Sequence, residues 1–170
     1  MLIKSGVTGL VMCGSLGENQ ALDRDEKRRI IACAIEAAQG RVPVLSGVAE
    51  PSTSLAIRYA RDVEELGADG LMLLPAMLYK GDSRETMLHF RTVAKSTGLP
   101  IMIYNNPISY ANDITPQMFA ELAAQKNFVA LKESSGDVRR ITDLHNPIGG
   151  RYAIFTGVDD LAPRSVHPWH

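Results

Sequence analysis

The sequence predicts an α/β fold of sequential parallel strands, on three observations. Short apolar runs recur along the chain at steps of 24 to 34 residues, the length of one strand, one helix and two short loops. The segments between them carry a helical period together with helix start and stop signals. The runs are apolar throughout rather than alternating, as expected when both faces of a parallel sheet are covered.

The first strand is "GLVMC" (9–13). The helix after it, "DRDEKRRIIACAIEAAQG" (23–40), opens on an acidic capping stretch, lines up Ile30, Ile31, Ala34, Ile35 and Ala38 on one face and stops at Gly40. "VPVLSGV" (42–48) is the second strand, followed by "STSLAIRYARDVEELG", which starts at Ser52 and Thr53 and ends at Gly67. "GLMLL" (70–74) is the third, followed by a helix from Ser83 to Gly98. "PIMIY" (100–104) is the fourth, followed by "TPQMFAELAAQ", with Thr115 as N-cap and Pro116 at the first helical position, where its missing N–H costs nothing. "FVALK" (128–132) and "YAIFTG" (152–157) complete six strands.

A closed barrel and an open doubly wound sheet share this rhythm. An open sheet concentrates its site at one switch point, usually with a glycine-rich phosphate loop after the first strand, whereas "GSLGE" has neither the Walker lysine nor the G-x-G-x-x-G spacing. Reactive residues instead stand at the C-terminal tips of several strands, where barrel active sites are built. The prediction is an incomplete (β/α)8 TIM barrel, with about six of eight βα units in residues 1–162.

Composition narrows the function. The chain has 170 residues, 45% hydrophobic and 22% charged, which suits one ordinary globular domain. A net charge of -1 gives no basic footprint for nucleic acid or anionic membrane, and no stretch has the unbroken apolar length to span a bilayer. Cys13 and Cys33 lack metal or redox spacing, so a reducing cytoplasm is expected.

The strand tips carry the chemistry. Lys132 ends an apolar strand and faces a polar turn, "ESSGD"; Tyr104 ends the strand before it. The loop "GSLGEN" after the first strand offers the Ser15 hydroxyl and backbone N–H groups among small residues, which suit a carboxylate. A lysine amine in an apolar pocket can attack a carbonyl carbon to form a Schiff base, and a neighbouring phenol can shuttle the protons of carbinolamine formation and breakdown. The set fits activation of a small 2-oxo acid.

"GSLGEN", "YNNP" and "ALKESSGD", in this order and spacing, resemble the three signatures of the dihydrodipicolinate synthase / N-acetylneuraminate lyase family, over about residues 3–162. The resemblance implies that Lys132 forms the imine, Tyr104 gives and takes protons, Ser15 relays them to Tyr104, and the N–H groups of Leu16 and Gly17 hold the substrate carboxylate. It implies no metal and no organic cofactor, because the lysine imine is itself the electron sink, and a homo-oligomer as the assembly. Glu18 is expected to be structural.

Departures narrow the branch. Leu16 stands where the family often has a second hydroxyl. "YNNPISYAND" has no arginine to grip a second substrate, and "LPAMLYKGD" offers only Tyr79, shifted along, where dihydrodipicolinate synthases have a tyrosine pair. The combination of "MCGSLGEN", "LLPAMLY", "YNNPISY" and "IFTGVDDLA" looks most like the branch that deaminates 1-pyrroline-4-hydroxy-2-carboxylate to 2,5-dioxopentanoate and ammonia in hydroxyproline degradation. The alternatives are a 2-oxo-3-deoxy sugar acid dehydratase or aldolase, or a non-catalytic remnant.

The remaining conspicuous residues have simpler expectations. His89 and His145 lack ligand-spaced partners and are expected to pack or be solvated, not to bind metal. Asp159 and Asp160 are expected to cap a following helix, Glu133, Ser134 and Ser135 to shape the turn after Lys132, and Arg139 and Arg140 to be solvated. Met72, Met77 and Met87 fill the core or wall the pocket. The start at "MLIKSGVTGL" falls inside what should be the first barrel helix, and "PRSVHPWH" (163–170) breaks the repeat with two prolines and no apolar period. The expectation is a truncated chain with an aberrant, frameshifted tail.

Overall fold

The structure is a computed structural model that describes residues 1–76 and 79–161. All six expected strands form within one or two residues of their predicted ends: β1 (Leu10–Met12), β2 (Val44–Val48), β3 (Gly70–Leu73), β4 (Ile101–Asn105), β5 (Phe128–Glu133) and β6 (Ala153–Thr156). They make one all-parallel sheet in the order β1-β2-β3-β4-β5-β6. A doubly wound sheet would reverse its order at a switch point. This one never does, and the partial-barrel expectation stands.

The helices α1 (Arg24–Ala38), α2 (Thr53–Glu65), α3 (Ser83–Ala94), α5 (Pro116–Leu122) and α6 (Arg139–Ile148) are joined by a one-turn helix, α4 (Pro107–Tyr110). Local chemistry sets their starts. Asp23 and Glu26 form a capping box on α1, as Asp82 and Glu85 do on α3, one residue before the predicted start. Thr115 caps α5 through the N–H of Met118, as expected. The short α4 begins with the Asn106 side chain accepting from the Ser109 N–H and with Pro107 in the first turn.

Side chains of each strand divide between two faces. Ile101, Ile103, Phe128 and Leu131 enter the main core with Phe90, Phe119 and Leu122 of the helices, all fully buried. Met72, Met102, Tyr104 and Ala130 cluster on the other face. Phe155 and Val11 on the outer strands are about half exposed.

Close approach of β1 to β2 demands glycine at position 47. A Cβ there would stand 2.4 Å from the Cys13 carbonyl oxygen, a backbone atom that cannot swing away. Gly47→Ala is expected to prise the end of β1 from β2 at a cost of about 1–3 kcal/mol. Chemical denaturation reads this, and an unchanged midpoint would show that the two strands are free to separate.

His89 of α3 packs in the core rather than at the surface. Its Nε2 donates to the Leu74 carbonyl at 3.1 Å, so its Nδ1 accepts from Thr53 Oγ1 at 3.0 Å. Burial, only partly opposed by the bond to Leu74, lowers its pKa below the ordinary 6.5. The unfolded chain therefore takes up this proton first as pH falls, and the folded state loses stability below pH 6.5 while keeping it fully above. The expected slope is at most about 1.4 kcal/mol per pH unit, and it should vanish in His89→Gln when urea midpoints are compared across that range.

Residues 163–170, expected to be an aberrant tail, and Met77 lie outside the described residues. No helix among the described residues is long and apolar enough to cross a membrane.

Candidate active site

A register shift brings lysine and tyrosine onto one face. Ile101 pairs with Phe128, and if that register continued Tyr104 would meet Leu131, whose side chain points into the helical core. An irregularity between Ile101 and Met102 advances β5 by one residue, so that Met102 pairs with Ala130 and Tyr104 with Lys132. The Lys132 ammonium then lies 4.4 Å from the centre of the Tyr104 ring.

Behind this pair, on the opposite face, a buried polar network fixes the two strand tips. Asn105 donates to Glu133 at 3.0 Å and to Asp113 at 3.1 Å, while its side-chain oxygen accepts from the Ile114 N–H at 2.9 Å. Glu133 in turn accepts from the Ser135 N–H at 2.7 Å, the turn-shaping role expected of it. Asp113 pairs with Arg140 at 2.8 Å. Arg140 is therefore not the solvated residue the sequence suggested, because a carboxylate 27 positions earlier folds back to meet it. Arg139 keeps its pair with Asp137 at the surface.

The loop after β1 is anchored from beneath. Asn19, fully buried, donates to the carbonyls of Cys13 at 2.7 Å and Gly47 at 3.2 Å. It accepts from Lys27, which also pairs with Glu50 at 2.7 Å. Ser15, Leu16 and Gly17 form a single 3-10 turn above this anchor. The Gly17 N–H donates to the Gly14 carbonyl at 2.9 Å, so a carboxylate bound there would share it. The Leu16 side chain is fully exposed, and Glu18 holds a positive φ of 58° at the exit of the turn.

Ser15, Leu16, Gly17, Tyr104 and Lys132 all line one cavity of about 510 Å³, walled by Met72 and Met102. Met72 is thus pocket wall, whereas Met87 belongs to the core. Gly157 closes the far side. A Cβ there would lie 2.9 Å from Lys132 Cε and would overlap the Ser134 hydroxyl.

The sequence reading missed Tyr110. Its hydroxyl lies 2.5 Å from Ser15 Oγ, and its ring meets that of Tyr104 edge-on at 5.8 Å. The signal was present in "NNPISY", where an N-cap asparagine followed by proline starts a turn that returns the sixth residue after Tyr104 to its side. Burial acts to raise the Tyr104 pKa, but polar contacts with Asn106, Ser134 and Tyr110 and the Lys132 charge together bring it below the ordinary phenol value. Burial and the Tyr104 charge push Tyr110 up, against its bond to Ser15. The phenol closer to the lysine is the readier to ionise. Ser134 is buried close enough to favour the Tyr104 phenolate, yet its hydroxyl makes no hydrogen bond of ordinary geometry.

Other candidates fall elsewhere. Tyr79 is exposed on the rim of a second cavity of about 320 Å³ beside His89 and Glu85, away from the lysine. Asp159 and Asp160 open an exposed 3-10 turn, and the helix they were expected to cap lies outside the described residues. No group of three or more His, Cys, Asp or Glu that could hold a metal occurs among the described residues.

Comparison with known proteins gives a consistent picture. Residues 1–167 match the profile of the "Dihydrodipicolinate synthetase family". A 4-hydroxy-tetrahydrodipicolinate synthase of Sphingopyxis alaskensis is 38% identical over 160 residues, covering 94% of this chain and 55% of that protein. One from Desulforudis audaxviator is 36% identical, covering 94% and 54%. The crystal structure of YagE, a prophage protein of the dihydrodipicolinic acid synthase family from E. coli K12 in complex with pyruvate, superposes with a TM-score of 0.92 at 30% identity, covering 97% of this chain and 57% of that one. The chain spans about half the length of the curated relatives it matches.

Proposed function

The chain belongs to the dihydrodipicolinate synthetase family, and on that footing we propose that it carries the Schiff-base site of a lyase or aldolase acting on pyruvate or a related 2-oxo acid. The observation that carries the reading is the in-register pairing of Lys132 with Tyr104 over the cavity that also holds the Ser15 loop. The amine of Lys132 attacks C2 of the oxo acid, the carbonyl electron pair moves to oxygen, and that oxygen takes a proton to give a carbinolamine. Tyr104, whose phenol is biased toward ionisation, removes a proton from the nitrogen and returns one to the departing hydroxyl. Water leaves and the imine remains. Loss of a proton from C3 then gives an enamine, the nucleophile of an aldol step, with the imine nitrogen as electron sink.

Leu16 and Gly17 supply the backbone N–H groups that would hold the 1-carboxylate. The finer assignment, 1-pyrroline-4-hydroxy-2-carboxylate deaminase, shares the attack at C2 and rests on the motif combination alone. The synthase names of the relatives favour the lyase or aldolase reading. A single catalytic unit over residues 1–162 and self-association into a homo-oligomer are proposed with it.

Borohydride trapping tests the reading. The purified chain incubated with pyruvate and reduced should gain a covalent adduct that peptide mass spectrometry places on Lys132. A folded sample that gains none refutes the proposal. Repeating the incubation with 1-pyrroline-4-hydroxy-2-carboxylate, with ammonia release as readout, separates the deaminase from the lyase.

A further inference from the structure

A Schiff-base site must move protons between its phenol and the outside, and the single hydroxyl of the Ser15 loop does not meet Tyr104 directly. Its contact is Tyr110, at 2.5 Å, and Tyr110 stands edge-on to Tyr104. Two local features of α4 hold the residue there. Asn106 caps α4 and also donates to the Tyr104 hydroxyl at 3.2 Å, while Ala111 takes a positive φ of 58° to end the helix one residue after Tyr110. Tyr79, the tyrosine that follows the third strand, is on another cavity.

We propose that Tyr110 is a positioning residue that aligns the Tyr104 hydroxyl and passes its proton to Ser15, so that the relay of this site is complete within one chain. The proposal rests on the Schiff-base reading above. Its chemistry is a proton transfer along hydroxyls: Tyr104, as the phenolate, takes a proton from C3 of the imine and hands one to Tyr110, Tyr110 hands its own to Ser15, and Ser15, which is exposed, releases its own to water. Tyr104 is left as the phenolate again, Tyr110 and Ser15 stay neutral, the C3 proton ends in solvent, and no oxidant or co-reactant is consumed.

The line makes two demands. Removing one hydroxyl should slow proton transfer at C3 without preventing imine formation at equilibrium. Removing a second from the same line should add little, because the line is already broken.

The experiment follows exchange of the pyruvate methyl protons in D2O by NMR, beside borohydride adduct yield, for wild type, Tyr110→Phe, Ser15→Ala and the double variant. Phenylalanine keeps the edge-on ring contact, and circular dichroism checks the fold. The expected result is a Lys132 adduct in every variant, a fall of at least about tenfold in the exchange rate at saturating pyruvate for each single variant, and no further fall in the double. Exchange unchanged in Tyr110→Phe, or losses that multiply in the double variant, would overturn the relay while leaving the Schiff base standing. A wild-type chain without adduct overturns both.

Discussion

Lys132→Met should abolish the borohydride adduct and lower any turnover by at least about 10³-fold, while leaving the fold intact. Methionine keeps an apolar stem of similar reach but has no nucleophile. The ammonium's contact with the Tyr104 ring is the main stabilising interaction lost, worth about 0.5–1 kcal/mol at a partly exposed site. The denaturation midpoint should therefore move little. A variant that unfolds would mean that the lysine holds the barrel wall together, and a variant that still traps substrate would place the imine on another residue.

Asn105→Ala should have the largest effect on stability. One side chain, fully buried, joins three partners on two segments: Glu133 at the tip of β5, and both Asp113 and the N–H of Ile114 in the loop after α4. Alanine leaves the buried Glu133 carboxylate and the buried Ile114 N–H each short of a bond, while the exposed Asp113 carboxylate can turn to water, at a cost of the order of 3–5 kcal/mol. Because Glu133 follows Lys132 directly, the loss should also blur the lysine's position and reduce trapping in the fraction that stays folded. Asn105→Asp makes a useful contrast. It restores the acceptor for Ile114 but sets a third carboxylate against two others, so its deficit should shrink as the solution is acidified. Equal stability of either variant to wild type would show the network to be dispensable.

Much of this was legible in the sequence, for identifiable reasons. Strands such as "PIMIY" and "FVALK" are short, apolar throughout and bounded by turn residues, so both their existence and their tips could be read, and with them Tyr104 and Lys132. The face each residue takes was less accessible. That Tyr104 meets Lys132 depends on a one-residue register shift, which leaves no mark in apolar periodicity. The four residues of α4 are too few to show a helical period, and Tyr110 was hidden with them. Arg140 looked solvated because its partner Asp113 is brought near only by tertiary folding. Asn19 and Asn105 sit inside recognised motifs, yet their burial depends on partners 28 positions away, Gly47 and Glu133, and could not be inferred locally.

The unbroken strand order has a consequence for how the chain assembles. Each pairing closes a loop of roughly 30 residues, so the entropic cost of every closure is nearly the same and no strand waits for a distant one. Folding can begin at any adjacent pair and spread outward in both directions, with β4–β5 the best furnished start through its extended pairing and the shared Asn105 network. Hydrogen exchange should then be slowest at Ile103 and Leu131 and grow faster toward β1 and β6. The wall that carries the lysine and its phenol would be the earliest part of the sheet to exist and the last to be lost.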